Sequence, residues 1–306
     1  MPGASVPDAP TLRVRLADKR IIAVQEYGDP AGMPVLYFHG FPACRLEAGL
    51  IADLPVRLLA FDRPGYGGSS PQPGRTLVDW PQDVAQVADR LGIDDLHIVG
   101  LSGGGPYAAA CAALLGGRVR SLSLVCPVPP AYGVPEGSQG IGELIRFGRQ
   151  RRRAATLFPL VRMLVRQRFF SIHSMVGRGL SPADDAVITP AVRDGLIAVW
   201  REALRYGVHG AMSDARIYAE DWGFDLEEIA APTSLWCGGE DRLIPVPTLA
   251  PYRAIPGIRW HTLEREGHFS LPLRHIRAMV EELVRQHAPA PQPAVGQLSS
   301  SLSQYR

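Results

Sequence analysis

The sequence predicts an α/β fold: a mostly parallel, twisted sheet covered by helices on both faces, with an all-helical segment inserted before the last strands. Three observations predict it. Short unbroken apolar runs alternate with helix-like stretches, which is how strands buried on both faces read. Several of these runs end directly in loop-forming sequence, at His39-Gly40-Phe41-Pro42, Asp62 to Ser69 and Gly100-Leu101-Ser102-Gly103-Gly104, so three separate segments converge on the carboxyl edge of one sheet. From 128 to 225 strand-like runs vanish and helical spacing takes over, with a dense run of arginines.

Taken in order, residues 1–10 are rich in Pro, Ala, Gly and Ser and are expected to be a flexible tail. Thr11 to Leu16 and Ile21 to Tyr27 alternate apolar and polar residues around Asp18-Lys19, which predicts a hairpin. Val35–Phe38 and Arg57–Phe61 read as buried strands. Thr76 is placed to cap a helix, with Asp79 able to reach back, and the helix runs to about Leu91, where Gly92 stops it. The run from Leu96 enters the glycine-serine turn, an alanine-rich helix follows from Ala108, and Leu122 to Val125 is a further buried strand. In the insert, helical spacing covers Ile141 to Phe147, Leu157 to Phe170, Ala191 to Tyr206 and Gly210 to Ala219. The α/β pattern resumes with a strand at Thr233 to Cys237, a helix near Pro247, a strand at Arg259 to Leu263 and a last helix from Leu273 to His287. The predicted organisation is a core in two parts, 11–127 and 226–288, interrupted by a helical unit at 128–225, with a flexible tail at 289–306.

Composition narrows the function classes. With 46% hydrophobic and 20% charged residues the chain is globular, and a net charge of +2 argues against nucleic acid as a partner. No apolar run approaches the roughly 20 residues needed to span a bilayer. The four cysteines are scattered without C-x-x-C spacing, as buried free thiols of a reducing compartment are, and the first ten residues lack a signal-peptide pattern; a cytoplasmic location is expected. Nothing resembles a zinc cluster or a nucleotide-binding glycine loop, so neither metal nor organic cofactor is expected.

The chemistry concentrates at Gly100-Leu101-Ser102-Gly103-Gly104. A strand, a very tight turn and a helix match G-x-S-x-G, in which the serine sits in a strained conformation and its neighbours two residues away must lack a Cβ. A serine hydroxyl is a poor nucleophile and needs a base, itself oriented by an acid. Of eight histidines, only His39 and His268 occupy strand-end loops; His268 follows the last strand and is taken as the base. Asp241, directly after the strand ending at Cys237, is taken as the acid, with Glu240 its nearest rival and Glu136 the one carboxylate available after the Leu122–Val125 strand. The amides of Gly103 and Phe41 are the candidate oxyanion donors. Asp62 and Arg63 are assigned to bracing loops.

These motifs, with Asp62-Arg63-Pro64-Gly65-Tyr66-Gly67, Gly239-Glu240-Asp241 and Gly267-His268, resemble the α/β-hydrolase superfamily over about residues 11–287. The branch they resemble carries a helical cap after the sixth strand and includes esterases, lactonases and proline iminopeptidase-like enzymes. The resemblance implies an α/β-hydrolase fold and a serine hydrolase acting through an acyl-enzyme on Ser102, His268 and Asp241, with a small-molecule acyl substrate as partner. Serine at the nucleophile position argues against epoxide hydrolases and haloalkane dehalogenases, which use aspartate there. The expected reaction is cleavage of a carboxylic ester, thioester or lactone. The alternatives are carbon–carbon hydrolysis or iminopeptidase-like action on the same groups, and a non-catalytic ligand-binding member of the fold. Phe41, Phe147, Phe170 and Trp200 are the expected substrate contacts, among apolar insert residues that also include Met163, Phe169, Met175, Tyr206 and Met212, most of them expected in the insert's own core. Arg151–Arg153 reads as a solvated helix face, with steering of an anionic substrate or contact with a partner or membrane surface as the alternative. Glu143, Asp184, Asp185, Asp214, Glu220 and Asp221 are weighed as amine-binding acids but form no convincing cluster. A homodimer is left open.

Overall fold

The computed structural model describes residues 11–167 and 179–286. One eight-stranded sheet runs in the order β1-β2-β4-β3-β5-β6-β7-β8. Its strands are β1 (Leu12–Arg15), β2 (Ile21–Gly28), β3 (Pro34–Phe38), β4 (Arg57–Phe61), β5 (Leu96–Leu101), β6 (Val119–Val125), β7 (Thr233–Gly238) and β8 (Arg259–Leu263). The β1/β2 and β2/β4 pairs are antiparallel and the remaining pairs are parallel.

The unbroken apolar runs feed two cores because successive side chains point to opposite faces. Leu36, Phe38, Leu59, Phe61, Leu96 and Ile98 enter the core shared with helices α1 (Trp80–Leu91) and α2 (Gly105–Leu114). Val35, Tyr37, Leu58, Ala60, Val99 and Leu101 enter the other, closed by Leu271, Ile276, Met279, Val280 and Leu283 of the last helix. Burial on both faces explains why these strands carry no polar alternation. The capping expected before α1 is present: the Thr76 amide donates to Asp79 at 2.6 Å, a 3₁₀ turn covers Leu77–Asp79, and Gly92 ends α1 at φ +68.

Between β6 and β7 the described residues form helices α3 (Ile141–Arg149), α4 (Arg151–Val165), α5 (Pro182–Val187), α6 (Pro190–Ala203) and α7 (His209–Ala219). Several boundaries differ from the sequence reading. Helix α4 begins six residues before Leu157, at the arginine run, and the five residues from 166 that were expected to continue it are not helical where described. Helix α5 has no apolar periodicity long enough to announce it; it exists because Ser181 and Asp184 form a reciprocal capping pair. Val246–Ala254 is 3₁₀ rather than α-helix, with Pro247 and Pro251 lacking the amides that an α-helix needs. The last helix, α8 (Ser270–Arg285), starts three residues earlier than the apolar period implied. No helix among the described residues is long and apolar enough to cross a membrane.

Candidate functional site

Ser102 sits between β5 and α2 with φ +50, a left-handed conformation that a residue with a Cβ adopts only under constraint from its surroundings. The glycines on either side are required by space. A Cβ on Gly104 would stand 2.1 Å from the Phe38 carbonyl oxygen, and one on Gly100 would stand 2.6 Å from the Ala108 Cβ. The turn therefore packs as tightly against β3 and α2 as G-x-S-x-G implied.

His268, on the loop between β8 and α8, places Nε2 3.0 Å from the Ser102 hydroxyl and Nδ1 2.7 Å from Asp241 Oδ2. With Asp241 taking the Nδ1 proton's hydrogen bond, Nε2 is left to accept from the hydroxyl. Asp241 is itself held by the amides of Leu243 and Ile244, which donate to Oδ1 at 2.9 and 2.8 Å. Its rivals are elsewhere: Glu240 and Glu136 are exposed. The end of β6 holds Cys126 instead of an acid, with φ +43 and a buried thiol close to Asp241. Cys126, Asp241 and His268 bring potential ligand atoms within 4.8 Å of one another, and of these Asp241 and His268 are bonded to each other.

Burial disfavours protonated His268, yet the Asp241 carboxylate, helped by Asp184 and Glu47, outweighs it and raises the imidazole's pKa above 6.5. A base must be neutral to accept a proton. Hydrolysis is accordingly expected to rise with pH through a limb whose midpoint lies above 6.5, read from kcat/KM between pH 5 and 9. A midpoint below 6.5 contradicts it.

The candidate oxyanion donors lie together. A Cβ on Gly103 would stand 3.2 Å from the Phe41 amide nitrogen. Both segments are tied to one buried carboxylate, Asp214 of α7. Arg63 reaches the carbonyls of His39 and Gly40 and donates to Asp214 through Nε at 3.0 Å and Nη2 at 2.8 Å. Tyr218 bonds the Gly103 carbonyl at 2.9 Å and Asp214 at 3.2 Å. Arg75 completes the pair of guanidiniums, and Tyr66 and Tyr107 add hydroxyls. Arg63 thus braces loops as expected, and Asp62 does the same by accepting from the Arg45 amide and guanidinium. His39 is fully buried, bonded to Gly40 O and to the Arg63 amide, and takes no part in the Ser102 chain.

A second insert acid fixes the His268 loop. Asp184 accepts from the amides of His268 (3.2 Å), Phe269 (2.7 Å) and Ser270 (2.9 Å), so it caps α8 from another element. Asp184→Ala is expected to lower stability by about 2–3 kcal/mol in urea unfolding, since it leaves buried amides without an acceptor. A loss under about 0.5 kcal/mol would count against the cap.

Above Ser102 opens a cavity of about 1120 Å³. Phe41, Phe147 and Trp200, three of the four residues expected to contact substrate, line it together with Phe158, Leu144 and Leu196. Phe170 lies outside the described residues, as do Phe169, Met175 and the side chains of Arg151–Arg153. Met163 and Tyr206 are 52% and 72% exposed, so they belong neither to this cavity nor to the insert's core. Helix α4 buries Phe158 in the cluster beside the cavity, next to the half-exposed Leu157, which also lines it. Of the weighed amine-binding acids, Asp184 and Asp214 are consumed by the contacts above, and Asp185, Glu220 and Asp221 are exposed. Sequence reasoning missed Glu47, which also lines the cavity. Its only sequence signal is a lone acid six residues after Phe41, with no periodicity or motif behind it.

Comparison with known proteins agrees with this architecture. The family model of the alpha/beta hydrolase fold matches residues 33–274. The chain is 27% identical over 249 residues to a 2-hydroxymuconate semialdehyde hydrolase of Pseudomonas putida, covering 78% of this chain and 82% of that protein. It is 24% identical over 242 residues to a non-heme haloperoxidase of Rhodococcus erythropolis, covering 76% and 83%. Among solved structures, a thermophilic esterase from Thermogutta terrifontis superposes with a TM-score of 0.68 at 23% identity, covering 91% of this chain and all of that one. A matching fold, a matching family model and a strand–turn–helix serine at the sheet's carboxyl edge lead to one assignment: the chain belongs to the α/β-hydrolase family.

Proposed function

We propose that the protein is a serine hydrolase that cleaves a small-molecule carboxylic ester, thioester or lactone. The observation that carries the reading is the unbroken hydrogen-bonded chain from the Ser102 hydroxyl through His268 to Asp241 at the floor of an apolar cavity. In this reading His268 Nε2 takes the hydroxyl proton as Ser102 Oγ attacks the carbonyl carbon. The amides of Phe41 and Gly103 hold the resulting oxyanion; one such donor is worth about 3–4 kcal/mol of barrier. His268 then passes the proton to the departing alcohol or thiol, leaving an acyl group on Ser102. Water, deprotonated by the same imidazole, releases the acid and restores the serine. Asp241 keeps the Nδ1 proton in place and stabilises the imidazolium. The inserted helices roof the cavity and select the acyl group through Phe147, Phe158 and Trp200.

A second reading, hydrolysis of a carbon–carbon bond next to a carbonyl on the same residues, draws on the likeness to the Pseudomonas putida hydrolase. A panel of p-nitrophenyl acyl esters, thioesters, lactones and vinylogous diketones separates the two. The first reading expects turnover of the butyrate ester. A protein that cleaves only the diketones supports the second.

A further inference from the structure

Two carboxyl groups outside the Ser102 chain line the cavity, the exposed Glu143 and the half-buried Glu47, and Glu47 is the one placed beside Ser102. Glu47 lies on the 3₁₀ turn Arg45–Leu50, half-buried, facing the cavity. Its Oε2 is fully engaged: the Gly40 amide donates to it at 2.7 Å and the Tyr37 hydroxyl at 2.9 Å. These two bonds fix the carboxyl plane. They leave Oε1 pointing toward the Cβ-less face of Gly40, where a Cβ would stand 3.0 Å from Oε1 and 3.6 Å from the Ser102 Cβ. The open oxygen and the reacting hydroxyl's carbon thus flank the same point.

We infer that Glu47 Oε1 receives a protonated amine carried on the atom adjoining the scissile carbonyl, so that the preferred substrates are α-amino acyl compounds. The inference rests on the hydrolase reading of Ser102. Three features argue for a cation there. Leu50, Ile51, Leu101, Val128 and Phe41 make nearby parts of the wall apolar, and among the described residues no hydrogen bond to Oε1 is made. Among the described lining residues three are acids, Glu47, Glu143 and Asp241; Asp241 is bonded to His268, and the one arginine, Arg242, is exposed and spends a donor on the Leu180 carbonyl. A buried carboxylate is costly until paired, and a bond from an ammonium is about twice as strong as one between neutral groups. Burial already pushes the Glu47 carboxyl above its usual range, against the pull of the Gly40 and Tyr37 bonds, Arg63 and His268. An ammonium at Oε1 reverses that penalty.

The test compares two boronic acids that add to a serine hydroxyl as tetrahedral adducts, 1-aminopropylboronic acid and propylboronic acid, by isothermal titration calorimetry at pH 7.5. Wild-type protein is expected to bind the amino compound at least about 10-fold tighter. In Glu47→Gln, which keeps the size and an acceptor for Gly40 and Tyr37 but loses the charge, the preference should shrink to about 2-fold. Equal affinities in the wild type overturn the inference, as does weak binding of both compounds, and neither result depends on how well the variant folds. A preference that survives Glu47→Gln overturns it too. The hydrolase reading is scored separately, by turnover of p-nitrophenyl butyrate. An enzyme that cleaves this ester without preferring the amino compound loses only the Glu47 inference, and one that prefers the amino compound yet cleaves no ester, amide or diketone loses the hydrolase reading and the substrate claim with it, keeping only the ammonium site at Glu47.

Discussion

Replacing Ser102 with alanine is expected to lower kcat for p-nitrophenyl butyrate by about 10⁴-fold or more, equivalent to at least about 5 kcal/mol of barrier. The reason is geometric. Among the described residues Ser102 Oγ is the hydroxyl that touches His268 Nε2, and Ser102 lines the cavity. On the proposed mechanism its loss ends covalent catalysis, and the activity left is what the candidate oxyanion donors and substrate binding supply to a water attack. The fold should be indifferent, because alanine can be held at φ +50 by the same contacts that hold serine, so the melting temperature serves as the control. A fluorophosphonate probe should label Ser102 in the wild type and nothing in the variant. Equal rates in the two proteins, or a label on another residue, would sink the assignment.

The second large effect is on stability. Asp214→Ala is expected to destabilise the protein by about 3–5 kcal/mol in urea unfolding, because it strands two guanidiniums in the interior. Arg63 and Asp214 have no exposed side-chain surface and Arg75 has 2%. Burial alone would raise the Asp214 pKa; Arg63, Arg75 and the tyrosine hydroxyls reverse that and hold it far below the usual carboxylate range. The sign for stability follows. A depressed folded-state pKa means the contribution is present above the unfolded pKa near 3.8 and is lost only as pH falls well below it. The variant should therefore lose its deficit relative to wild type in strong acid. Its kcat should fall as well, since Arg63 and Tyr218 hold the carbonyls of Gly40 and Gly103 beside the two amides proposed to hold the oxyanion. A loss below about 1 kcal/mol at pH 7 would mean that the cluster contributes little beyond filling space.

Much of the architecture was legible in the chain. Apolar runs such as Val35–Phe38, lying beside turn-forming residues, predict strands whose ends meet, and the resulting sheet places Ser102, Asp241 and His268 at one edge. Helix starts were less legible where capping came from afar. Helix α8 begins at Ser270 because Asp184, 86 residues away, supplies the acceptor that a local cap would otherwise provide. The early start of α4 and the 3₁₀ form of Val246–Ala254 likewise follow from local backbone demands that apolar periodicity does not record.

The sequence by itself determined what repeats locally: strand and helix periods, and the glycines that a tight serine turn cannot do without. Only the tertiary structure decided which acids matter. In the chain Asp184 and Asp214 read only as possible amine-binding acids and Glu47 carries no signal, because a carboxylate's role depends on which distant donors meet it and how far water is excluded. Two of them are spoken for by amides and guanidiniums from other elements, and the third keeps one oxygen open beside Ser102.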